Sequence, residues 1–563
     1  TLNVDGTLQT DADLNAAGVI SGAGNLTKNG AGHLILSGEN RYTGATTVNA
    51  GKLSVDGYIS SAVTVNSGAA LGGSGYVGSV NIASGGVLAP GNSIGTLTVH
   101  GNLTFAPGAV YRVETDAAGN ADRVNVVGAQ GTLTINGGTV DVQAGAGNYA
   151  RNTSYTILTS MGATTGAFAG VTSNLAFLTP SLAYLPHGVT LNLQAGNVPS
   201  YNTVAQTPNQ VSAANYLNSF ANSPGNPAAA ALIQRIDNLT AGQARTAFDA
   251  MSGSPHAGAS QIAMALGRNF SAALATRTGF GPASSTAGLK AVMFANVSTA
   301  LMTRSADVVN DSPVVAATPD ARGAAGGFEA QTVGGLWGKA MGTGGRTGSD
   351  GNGPESRYRA NGVVFGYDQA LSTEWLGGIA LGHTRTQWDA STRGIAPASG
   401  GISTPQAGLY ARYIGGPWQV RLDGSYSGHR FRTDRTLTIG NATSIARSSH
   451  GGTEWAFAAQ AEYSLPSGNW DIRPLAGLRH ARLREDGFTE TGAGAASLTV
   501  DARRTQNTVA LLGVKLANPR GDQGGKLQLS AIASHLMGDN DSPLSSRLAG
   551  QAARFTAAGT PVK

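Results

Sequence analysis

The last 230 or so residues alternate between apolar and polar side chains, and this alternation constrains the fold more than any other feature. In the segment Tyr358–Leu371, for example, Val363 and Phe365 share one face and Asp368 lies on the other. A period of two places successive side chains on opposite faces of a strand. One face suits lipid and the other a polar interior, so we predict a closed antiparallel barrel in an outer membrane.

About ten segments show the pattern, and each meets or exceeds the roughly 9–11 residues that a tilted strand needs to cross a bilayer. They are Val333–Gly344, Tyr358–Leu371, Trp375–Asp389, Ile402–Ile414, Trp418–Leu437, Gly451–Leu465, Trp470–Thr489, Arg504–Leu516, Lys526–Met537 and Leu544–Thr556.

The connections between these segments alternate in length. Those after odd-numbered strands are long and polar, such as Gly345–Arg357 and Ala390–Gly401, whereas Ser372–Glu374, Gly415–Pro417 and Pro466–Asn469 are tight. Outer-membrane barrels have short periplasmic turns and long external loops, so the first strand is predicted to run outward.

Six tryptophans lie near the predicted strand ends, which suggests interfacial girdles, although core tryptophans of a soluble sandwich would give the same pattern. They are Trp337, Trp375, Trp388, Trp418, Trp455 and Trp470.

Composition supports a turn-rich β protein. The chain has 563 residues, of which 81 are glycine and only 12% are charged, and it contains no cysteine. It has no uncharged apolar run of about 18 residues that could form a transmembrane helix. The absence of cysteine fits passage through an oxidising periplasm.

Charge is unevenly distributed. Residues 1–198 carry six Lys/Arg against nine Asp/Glu, a net charge of −3, so the overall +5 arises downstream. A nucleic-acid site would need the strand arginines on one face with interleaved aromatics, whereas at strand spacing we predict that they line the barrel interior and do not bind nucleic acid. These arginines are Arg412, Arg421, Arg430, Arg432, Arg479, Arg482 and Arg484.

The first 200 or so residues show a second β pattern, with a step of roughly 20 residues. Thr46–Val55, Val63–Leu71, Val80–Leu88 and Leu97–Phe105 each contain a β-branched strand, a turn and a second short strand. A coil this short must stack on its neighbours to bury its apolar face. We therefore predict a right-handed parallel β-helix.

Several of these segments resemble the autotransporters, the single-chain type V secretion systems of Gram-negative bacteria. Gly22–Val55 resembles their passenger-associated transport repeat, and Leu88–Phe105 their passenger junction. Tyr155–Ser160 and Gly188–Leu193 resemble their autochaperone region. The resemblance covers nearly the whole chain, and it implies a twelve-stranded barrel, of which about ten strands are present here.

Residues Pro227–Arg277 lose the alternation, and Leu232, Ile233 and Ile236 begin a helical stripe that Leu239 continues. Leu239–Arg277 resembles the linker helix that threads the barrel pore in autotransporters. This chain has Ser254-Pro255-His256 where many members have an acidic residue before the histidine. Proline is tolerated in the first turn of a helix, so we predict a pore-threading helix over residues 255–277.

Four polar residues of this helix, Gln261, Arg268, Asn269 and Arg277, suit packing inside a polar barrel. The alternative is an amphipathic helix against the outer rim of the barrel. Residues 278–327 read as a Gly/Ala/Ser-rich connector with a short helix at Ala287–Met302.

The chain offers little chemistry. Its nine histidines are scattered and cysteine is absent, so we predict no metal and no cofactor. Asp116, Asp122 and Arg123 resemble the carboxylates and arginine of polysaccharide lyases, but we interpret them as solvated corners around a strand. No catalytic residue is assigned, and the protein is predicted not to be an enzyme. Isolated asparagines such as Asn296 give no support for self-cleavage inside the barrel.

Arg520-Gly521-Asp522 matches an integrin-binding tripeptide. The order of loops puts it between the eighth and ninth strands on the periplasmic side, so we interpret it as a turn.

The predicted layout has three parts. Residues 1–198 are the end of a β-helical passenger with its autochaperone region, 199–328 a partly helical linker, and 329–563 a translocator barrel truncated at the carboxyl terminus. Thr1 falls inside a repeat without a signal peptide, so the chain reads as a fragment.

The resemblance implies an outer-membrane protein whose barrel anchors its own passenger and moves it to the cell surface. The predicted partners are the bilayer, the barrel-assembly machinery, periplasmic chaperones and a host or surface ligand of the passenger. Two alternatives keep the barrel only as an anchor: a surface adhesin of virulence type, or an enzyme acting on polysaccharide. A third alternative is a soluble secreted β-helix that binds polysaccharide.

Overall fold

A computed structural model of the protein describes residues 5–128, 131–150, 152–195, 200–278, 335–392, 395–517, 528–539 and 541–560. The chain divides into two compact units. The first comprises Thr1–Val204, Phe220–Ala244 and Ile439–Ala442, and the second comprises Ala205–Ser219, Arg245–Thr438 and Thr443–Lys563.

The first unit is built mainly from short strands. They are β1 (Gly6–Gln9), β2 (Leu14–Ala16), β3 (Leu26–Asn29), β4 (His33–Leu36), β5 (Glu39–Asn40), β6 (Thr46–Val48), β7 (Gly51–Val55), β8 (Tyr58–Ile59), β9 (Val63–Val65), β10 (Ala69–Gly73), β11 (Tyr76–Val77), β12 (Val80–Ile82), β13 (Val87–Pro90), β14 (Thr96–His100), β15 (Leu103–Phe105), β16 (Val110–Thr115), β17 (Arg123–Val127), β18 (Leu133–Ile135), β19 (Thr139–Ala144), β20 (Asn152–Ser160), β21 (Thr164–Gly166), β22 (Gly170–Ser173), β23 (Leu178–Leu185) and β24 (Gly188–Ala195).

These strands form three parallel sheets that run the length of a β-helix, in the orders β1-β3-β6-β9-β12-β15-β18-β21, β2-β4-β7-β10-β13-β16-β19-β22 and β20-β17-β14-β11-β8-β5. Each rung contributes one strand to each sheet. The parallel β-helix is confirmed, but the sequence reading found only two strands per repeat. The third strand has two residues in several rungs, such as Tyr58–Ile59, and so carries no readable alternation.

The core of the β-helix is a set of apolar ladders. Leu34, Leu53, Leu71 and Leu88 pair in register from rung to rung, and all are fully buried. Burying a leucine contributes about 1.5–3 kcal/mol, and each new rung adds one to every ladder. Stacking therefore stabilises rungs that could not fold alone.

An antiparallel hairpin ends the β-helix. β24 pairs antiparallel with β20 and β23 pairs antiparallel with β24, so the third sheet ends in β23-β24-β20. The two segments that resemble the autochaperone region lie in β20 and β24. A covered edge protects a sheet from pairing with other chains.

Four α-helices lie between residues 208 and 277 of the described chain: α1 (Pro208–Asn218), α2 (Pro227–Asp237), α3 (Ala241–Ser252) and α4 (Ser254–Arg277). In the first unit, the side chain of Asn226 caps α2 by accepting from the Ala229 amide, and Pro227 lies in the first turn. The predicted stripe on α2 is buried. No helix among the described residues is long and apolar enough to span a membrane. The predicted helix Ala287–Met302 lies outside the described residues.

The second unit contains the long strands. They are β25 (Gly335–Thr347), β26 (Ser356–Ala370), β27 (Trp375–Thr392), β28 (Ile395–Gly415), β29 (Trp418–Ile439), β30 (Ala442–Tyr463), β31 (Leu465–Ser467), β32 (Trp470–Glu485), β33 (Phe488–Thr489), β34 (Leu498–Val500), β35 (Arg503–Ala517), β36 (Gln528–Gly538), β37 (Leu544–Leu548) and β38 (Phe555–Ala557).

Nine of the ten predicted segments pair as an antiparallel sheet in the order β25-β26-β27-β28-β29-β30-β32-β35-β36, and β31 joins β32. The tenth segment does not belong to it. Leu544–Thr556 instead contributes β37 and β38 to a small sheet, β33-β34-β37-β38, where Phe555 contacts Tyr216 of α1 at 4.8 Å between ring centroids. A half-buried soluble hairpin alternates in the same way as a membrane strand, so the sequence could not separate them.

One end of the long sheet has tight turns and the other has extended hairpins. The prediction of a long loop at Ala390–Gly401 was wrong, since β27 and β28 remain paired from Thr392 with Ile395 onward. β29 and β30 are joined through Gly440 and Asn441 alone. The polar segments at this end continue the strands because ladder hydrogen bonds form whatever the side chains are.

The outer face of the sheet is apolar over part of its height. Phe365 is 63% exposed, Leu381 67% and Leu409 66%. Near the tight turns, Trp375 contacts Tyr413 and Trp418 contacts Tyr463, and farther along Tyr426 contacts Trp455.

From Trp418 to Tyr426 is eight residues of β29, or about 26 Å of strand. This fits the apolar band of a tilted membrane strand between two aromatic girdles. The girdle prediction fails for Trp388, which is buried on the opposite face, and for Trp337, which donates to Tyr410 Oη at 2.7 Å. Their positions along the strands resemble those of girdle residues, but their parity places them inside.

Candidate functional site: the interior around α4

α4 lies against the inner face of the long sheet. Its residues contact strands from both halves of the sheet, including β26, β28, β29, β30 and β35. A sheet can touch one helix with so many of its strands only by curling around it. The alanines, glycines and serines of α4 allow this close approach, and almost the whole helix is buried.

At the tight-turn end, the last residue of α4 is held by a buried carboxylate. Arg277 donates from Nε and Nη2 to the two oxygens of Asp368 at 2.5 and 2.9 Å. Tyr410 donates to Asp368 Oδ2 at 2.9 Å, and Lys339 donates to Thr276 Oγ1 at 2.9 Å. A two-pronged arginine–carboxylate pair fixes both distance and direction, so it sets the position of this end of the helix.

In the middle of α4, Phe270 fits between two glycines. A Cβ atom at Gly382 or at Gly408 would approach the Phe270 ring to 2.9 Å, closer than real Cβ atoms come. The next residue, Ser271, donates to Asp423 Oδ2 at 2.7 Å and accepts from Arg421. The Phe270 ring in the space between these glycines and the Ser271 hydroxyl together define the register of the helix against the sheet.

One turn farther toward the amino end, Gly267 faces Glu454. A Cβ at Gly267 would collide with the Glu454 carboxylate, which accepts from Arg479 at 2.9 Å and lies 3.5 Å from His429. Glycine is therefore required here for close packing on a charged group.

The first turn of α4 is anchored by two buried glutamates. Glu490 accepts from Arg435 at 2.7 and 2.6 Å and contacts His256 Nε2 at 2.7 Å. Glu485 accepts from Arg503 at 2.9 Å, and Arg503 also donates to the His256 carbonyl at 2.8 Å. Paired charges are tolerated in an interior because each keeps hydrogen-bonded partners.

The interior is not uniformly polar. Ile262, Ala263 and Leu266 of α4 pack against a buried cluster on the strands that includes Trp388 and Phe431. A second buried cluster joins Phe270 and Leu274 to Val364, so apolar contacts hold the middle of the helix and ionic contacts hold both of its ends.

The predicted polar residues of α4 have different surroundings. Arg277 makes the ionic anchor, Gln261 donates to the Thr560 carbonyl at 2.8 Å, and Asn269 Nδ2 is buried without a partner. Gln261 and Arg268 line a water-sized cavity with Asn507.

The alternation of β26 predicted an inward Asp368, and nothing was predicted for the other acidic side chains, but five buried carboxylates lie around the helix. These are Asp368, Asp423, Glu454, Glu485 and Glu490.

The arginine prediction is wrong for four of the seven positions. Arg412, Arg421 and Arg479 are buried on the inner face. The other four lie exposed on the outer face, because their even numbers on β29 and β32 have the opposite parity from Arg421 and Arg479. These are Arg430, Arg432, Arg482 and Arg484.

Two of the candidate lyase residues of the β-helix, Asp116 and Asp122, have different surroundings. Asp116 is an exposed turn residue whose hydrogen bonds with Asn120 lower its pKa. Asp122 is 1% exposed and so is not the solvated corner that was predicted. It accepts from the amides of Gly95 and Glu114 at 2.8 and 2.9 Å, and burial raises its pKa to about 7.

Among the described residues, His, Asp and Glu side chains form no group of three that could hold a metal ion. The Arg520-Gly521-Asp522 tripeptide lies outside the described residues.

Comparison with known families gives two matches. Residues 336–563 match the autotransporter beta-domain, and residues 26–55 match the passenger-associated-transport-repeat. The second range contains β3 to β7 of the β-helix.

Two curated relatives, both named extracellular serine protease and both from Serratia marcescens, align with most of the chain. They are 27% and 24% identical over 507 and 508 residues, which is 88% of this chain and 47% of each relative. The chain thus spans about half the length of these relatives. Among solved structures, the translocator domain of autotransporter NalP from Neisseria meningitidis is 19% identical, with a TM-score of 0.31 over 41% of this chain and 74% of that one.

These relatives correct one prediction. The protein was predicted not to be an enzyme, whereas both relatives are named as proteases. The expectation of a non-enzymatic protein is therefore wrong, although it followed from the residues of this chain alone.

Proposed function

We propose, from the premise that this chain is an autotransporter of the outer membrane, that its passenger leaves the cell through the interior that α4 occupies. In this proposal α4 is the pore-threading segment predicted at residues 255–277. The polar and ionic lining around it carries the argument, because a passage for a polypeptide must offer hydrogen-bond partners to polar backbone.

The membrane itself is the best-supported partner. Large apolar side chains such as Phe365 and Leu409 are exposed on the outer face. Exposed apolar patches of this extent mark a surface that is covered, and the two aromatic girdles fit a bilayer.

We further propose that the tight turns face the periplasm. α4 then enters with Arg277 at the periplasmic end and leaves with His256 at the cell surface, and the passenger precedes it in the chain. Outward movement is favoured because each rung that stacks outside buries apolar surface. That segment of chain would have to unfold, and expose this surface again, before it could return through the barrel. In this layout residues 1–198 are the passenger end, 199–328 the linker and 329–563 the translocator.

The barrel-assembly machinery and periplasmic chaperones are proposed partners. The reason is physical, since the exposed apolar face would aggregate in the periplasm without a protein that covers it.

The test uses a disulfide between α4 and the sheet. The chain has no cysteine, so Ser271→Cys with Asp423→Cys introduces the only pair. The two side chains are within hydrogen-bond distance, and we expect oxidised protein from whole cells to carry a closed loop, seen as a mobility shift that reductant reverses. Ser271→Cys with Thr404→Cys is the matched control. A cross-link that forms equally in both pairs, or in neither, would contradict a fixed helix inside the sheet.

A second candidate function is a proteolytic passenger. The specific support is the pair of relatives named extracellular serine protease, which align with 88% of this chain. Cleavage of a casein substrate by cells that express the full-length gene product, abolished by a serine-directed inhibitor, is the expected result. Absence of cleavage would leave the adhesin alternative, to be tested by binding of the same cells to host surfaces.

A further inference from the structure

Five outward-facing arginines lie above the apolar band, toward the end with extended hairpins. Arg430 and Arg432 are on β29, Arg482 and Arg484 on β32, and Arg504 on β35, and all five are exposed. Arg430 and Arg432 come after Tyr426 on the way out of the band, Arg482 stands opposite Trp455, and Arg484 and Arg504 lie one step farther out. This is the level of lipid headgroups in a membrane-spanning sheet.

Two of these arginines stand directly opposite each other. Arg484 pairs in register with Arg504, and Arg482 lies two residues from Arg484 on the same face. Cross-strand neighbours have Cβ atoms about 4.5–5.5 Å apart, so like charges in this position repel. An anion bound between the two guanidinium groups would attract both of them and so offset their mutual repulsion.

Acidic side chains do not neutralise this cluster within the described part of the chain. The nearby outer-end ion pairs are Arg447 with Asp434, at 4.0 Å, and the inward pair of Arg503 with Glu485. Among the described residues, no carboxylate lies within 4.0 Å of Arg482, Arg484 or Arg504.

The surface below the cluster is apolar except for one polar pair, His480 with Thr508, which lies between Arg482 and Leu478. Trp455 is the register partner of Arg482, and it is exposed, as are Phe457 and Leu478 farther down the same face. A cationic cluster above a strip of exposed apolar side chains matches a molecule with an anionic head and hydrocarbon chains.

We propose that Arg482, Arg484 and Arg504 bind a phosphate of a phosphorylated glycolipid, lipid A, in the outer leaflet, with acyl chains along Trp455, Phe457 and Leu478. Arginine grips phosphate through two parallel N–H groups, which gives these charge-assisted hydrogen bonds their strength. The proposal rests on the sidedness given above, because with the opposite sidedness the cluster would meet the phospholipids of the inner leaflet.

The experiment measures binding of fluorescently labelled lipid A to the full-length gene product, purified from outer membranes in detergent. We expect Arg484→Gln with Arg504→Gln to weaken the dissociation constant about tenfold, since two charge-assisted contacts are lost. Arg430→Gln with Arg432→Gln removes the same charge from the same level of the outer face without breaking the opposed pair. That control should weaken binding only about twofold.

Three further arms decide the source of the anion. Removing the phosphates from lipid A should weaken its binding to the unchanged protein. The dissociation constant should rise at least to the value that intact lipid A has for the Arg484→Gln, Arg504→Gln variant. Inorganic phosphate at the same concentration should not compete. Equal losses in both double variants, phosphate-independent binding, or full competition by inorganic phosphate would each overturn the lipid site.

Failure of the proposed function looks different from failure of this site. Absence of the protein from outer-membrane fractions, or a cysteine-labelling pattern that puts the tight turns outside, would remove the premise. Neither result depends on the lipid measurements.

Discussion

The β-helix and the long sheet use the same alternation with opposite polarity. In the β-helix the inward residues are apolar, such as Leu53 and Leu71, and the outward ones face water. In the long sheet Phe365 faces outward and Asp368 is buried inside. The comparison shows that a two-residue alternation predicts a strand in both regions. Whether the apolar face points inward or outward depends on whether water or lipid surrounds the strand.

The two regions also handle charge differently. In the β-helix the buried ammonium group of Lys28, on β3, donates to backbone carbonyls, those of Asn29, Gly30 and Ala50. The long sheet buries complete arginine–glutamate pairs around α4. Loss of one partner should therefore have its largest effect in the sheet.

The largest expected effect comes from Arg435→Met. This change leaves Glu490 buried without its two-pronged partner, and breaking a buried pair costs about 3–5 kcal/mol. All six tryptophans lie between residues 337 and 470, so tryptophan fluorescence during urea unfolding reports on this region alone. Arg447→Met, at an exposed pair with 4.0 Å separation, is the control and should change stability by less than about 1 kcal/mol. Similar effects of the two changes would refute the special role of the interior pair.

The second effect tests the apolar ladder of the β-helix. Leu71→Ala leaves a cavity between Leu53 and Leu88 and should destabilise the β-helix by about 2–5 kcal/mol. Pulse proteolysis of the full chain, followed with an antibody to an amino-terminal tag, measures this loss. Thr64→Ala, on the outward face, should stay within about 0.5 kcal/mol. A ladder position no more sensitive than Thr64 would argue against stacking as the source of stability.

The third effect tests the opposite polarity on the lipid face. Phe365→Arg places a charge in the apolar band and should cost about 2–4 kcal/mol if it lies near the bilayer midplane. Asn361→Arg on the same face of β26 lies beside Arg359, beyond the band, and should cost about 0–1 kcal/mol. Heat-modifiable migration of the folded protein gives both values. Tolerance of arginine at residue 365 would mean that this face does not meet lipid.

The last effect, which is small for each single pH unit, is a pH dependence of the β-helix. Burial raises the pKa of Asp122 from 3.8 to about 7, so the native state holds a proton that the unfolded chain releases above about pH 4. The stabilisation from this group is fully present below about pH 4 and is lost as pH rises through about 7. The slope is at most about 1.4 kcal/mol per pH unit. Pulse proteolysis between pH 4 and 8 should show it, and Asp122→Asn should flatten it. An unchanged slope in the variant would assign the dependence to other groups.

Much of the fold could be read from the sequence. Alternation predicted nine strands of the long sheet, and the roughly 20-residue step predicted the β-helix, because each pattern states which side chains share a face. Strand ends were less certain, since β28 begins at Ile395 rather than Ile402. Polar residues extend a paired strand without changing the alternation.

The site was harder to predict. Arg277 was singled out as a polar residue of the helix, but its partner Asp368 lies 91 residues away and no local pattern joins them. The glycines at 382 and 408 read as ordinary strand glycines until Phe270 is seen between them. Parity alone could have sorted Arg421 from Arg430, and this signal was overlooked.

The sequence by itself determined the elements: short stacked strands, a helical segment and long alternating strands, because local periodicity specifies which residues share a face. Only the tertiary structure decided which distant charges meet, that Leu544–Thr556 joins the small sheet, and that Gly267 lies under Glu454. These outcomes depend on long-range packing, in which residues far apart in the chain compete for the same neighbours. The local periodicity of the sequence carries no information about these contacts between distant residues.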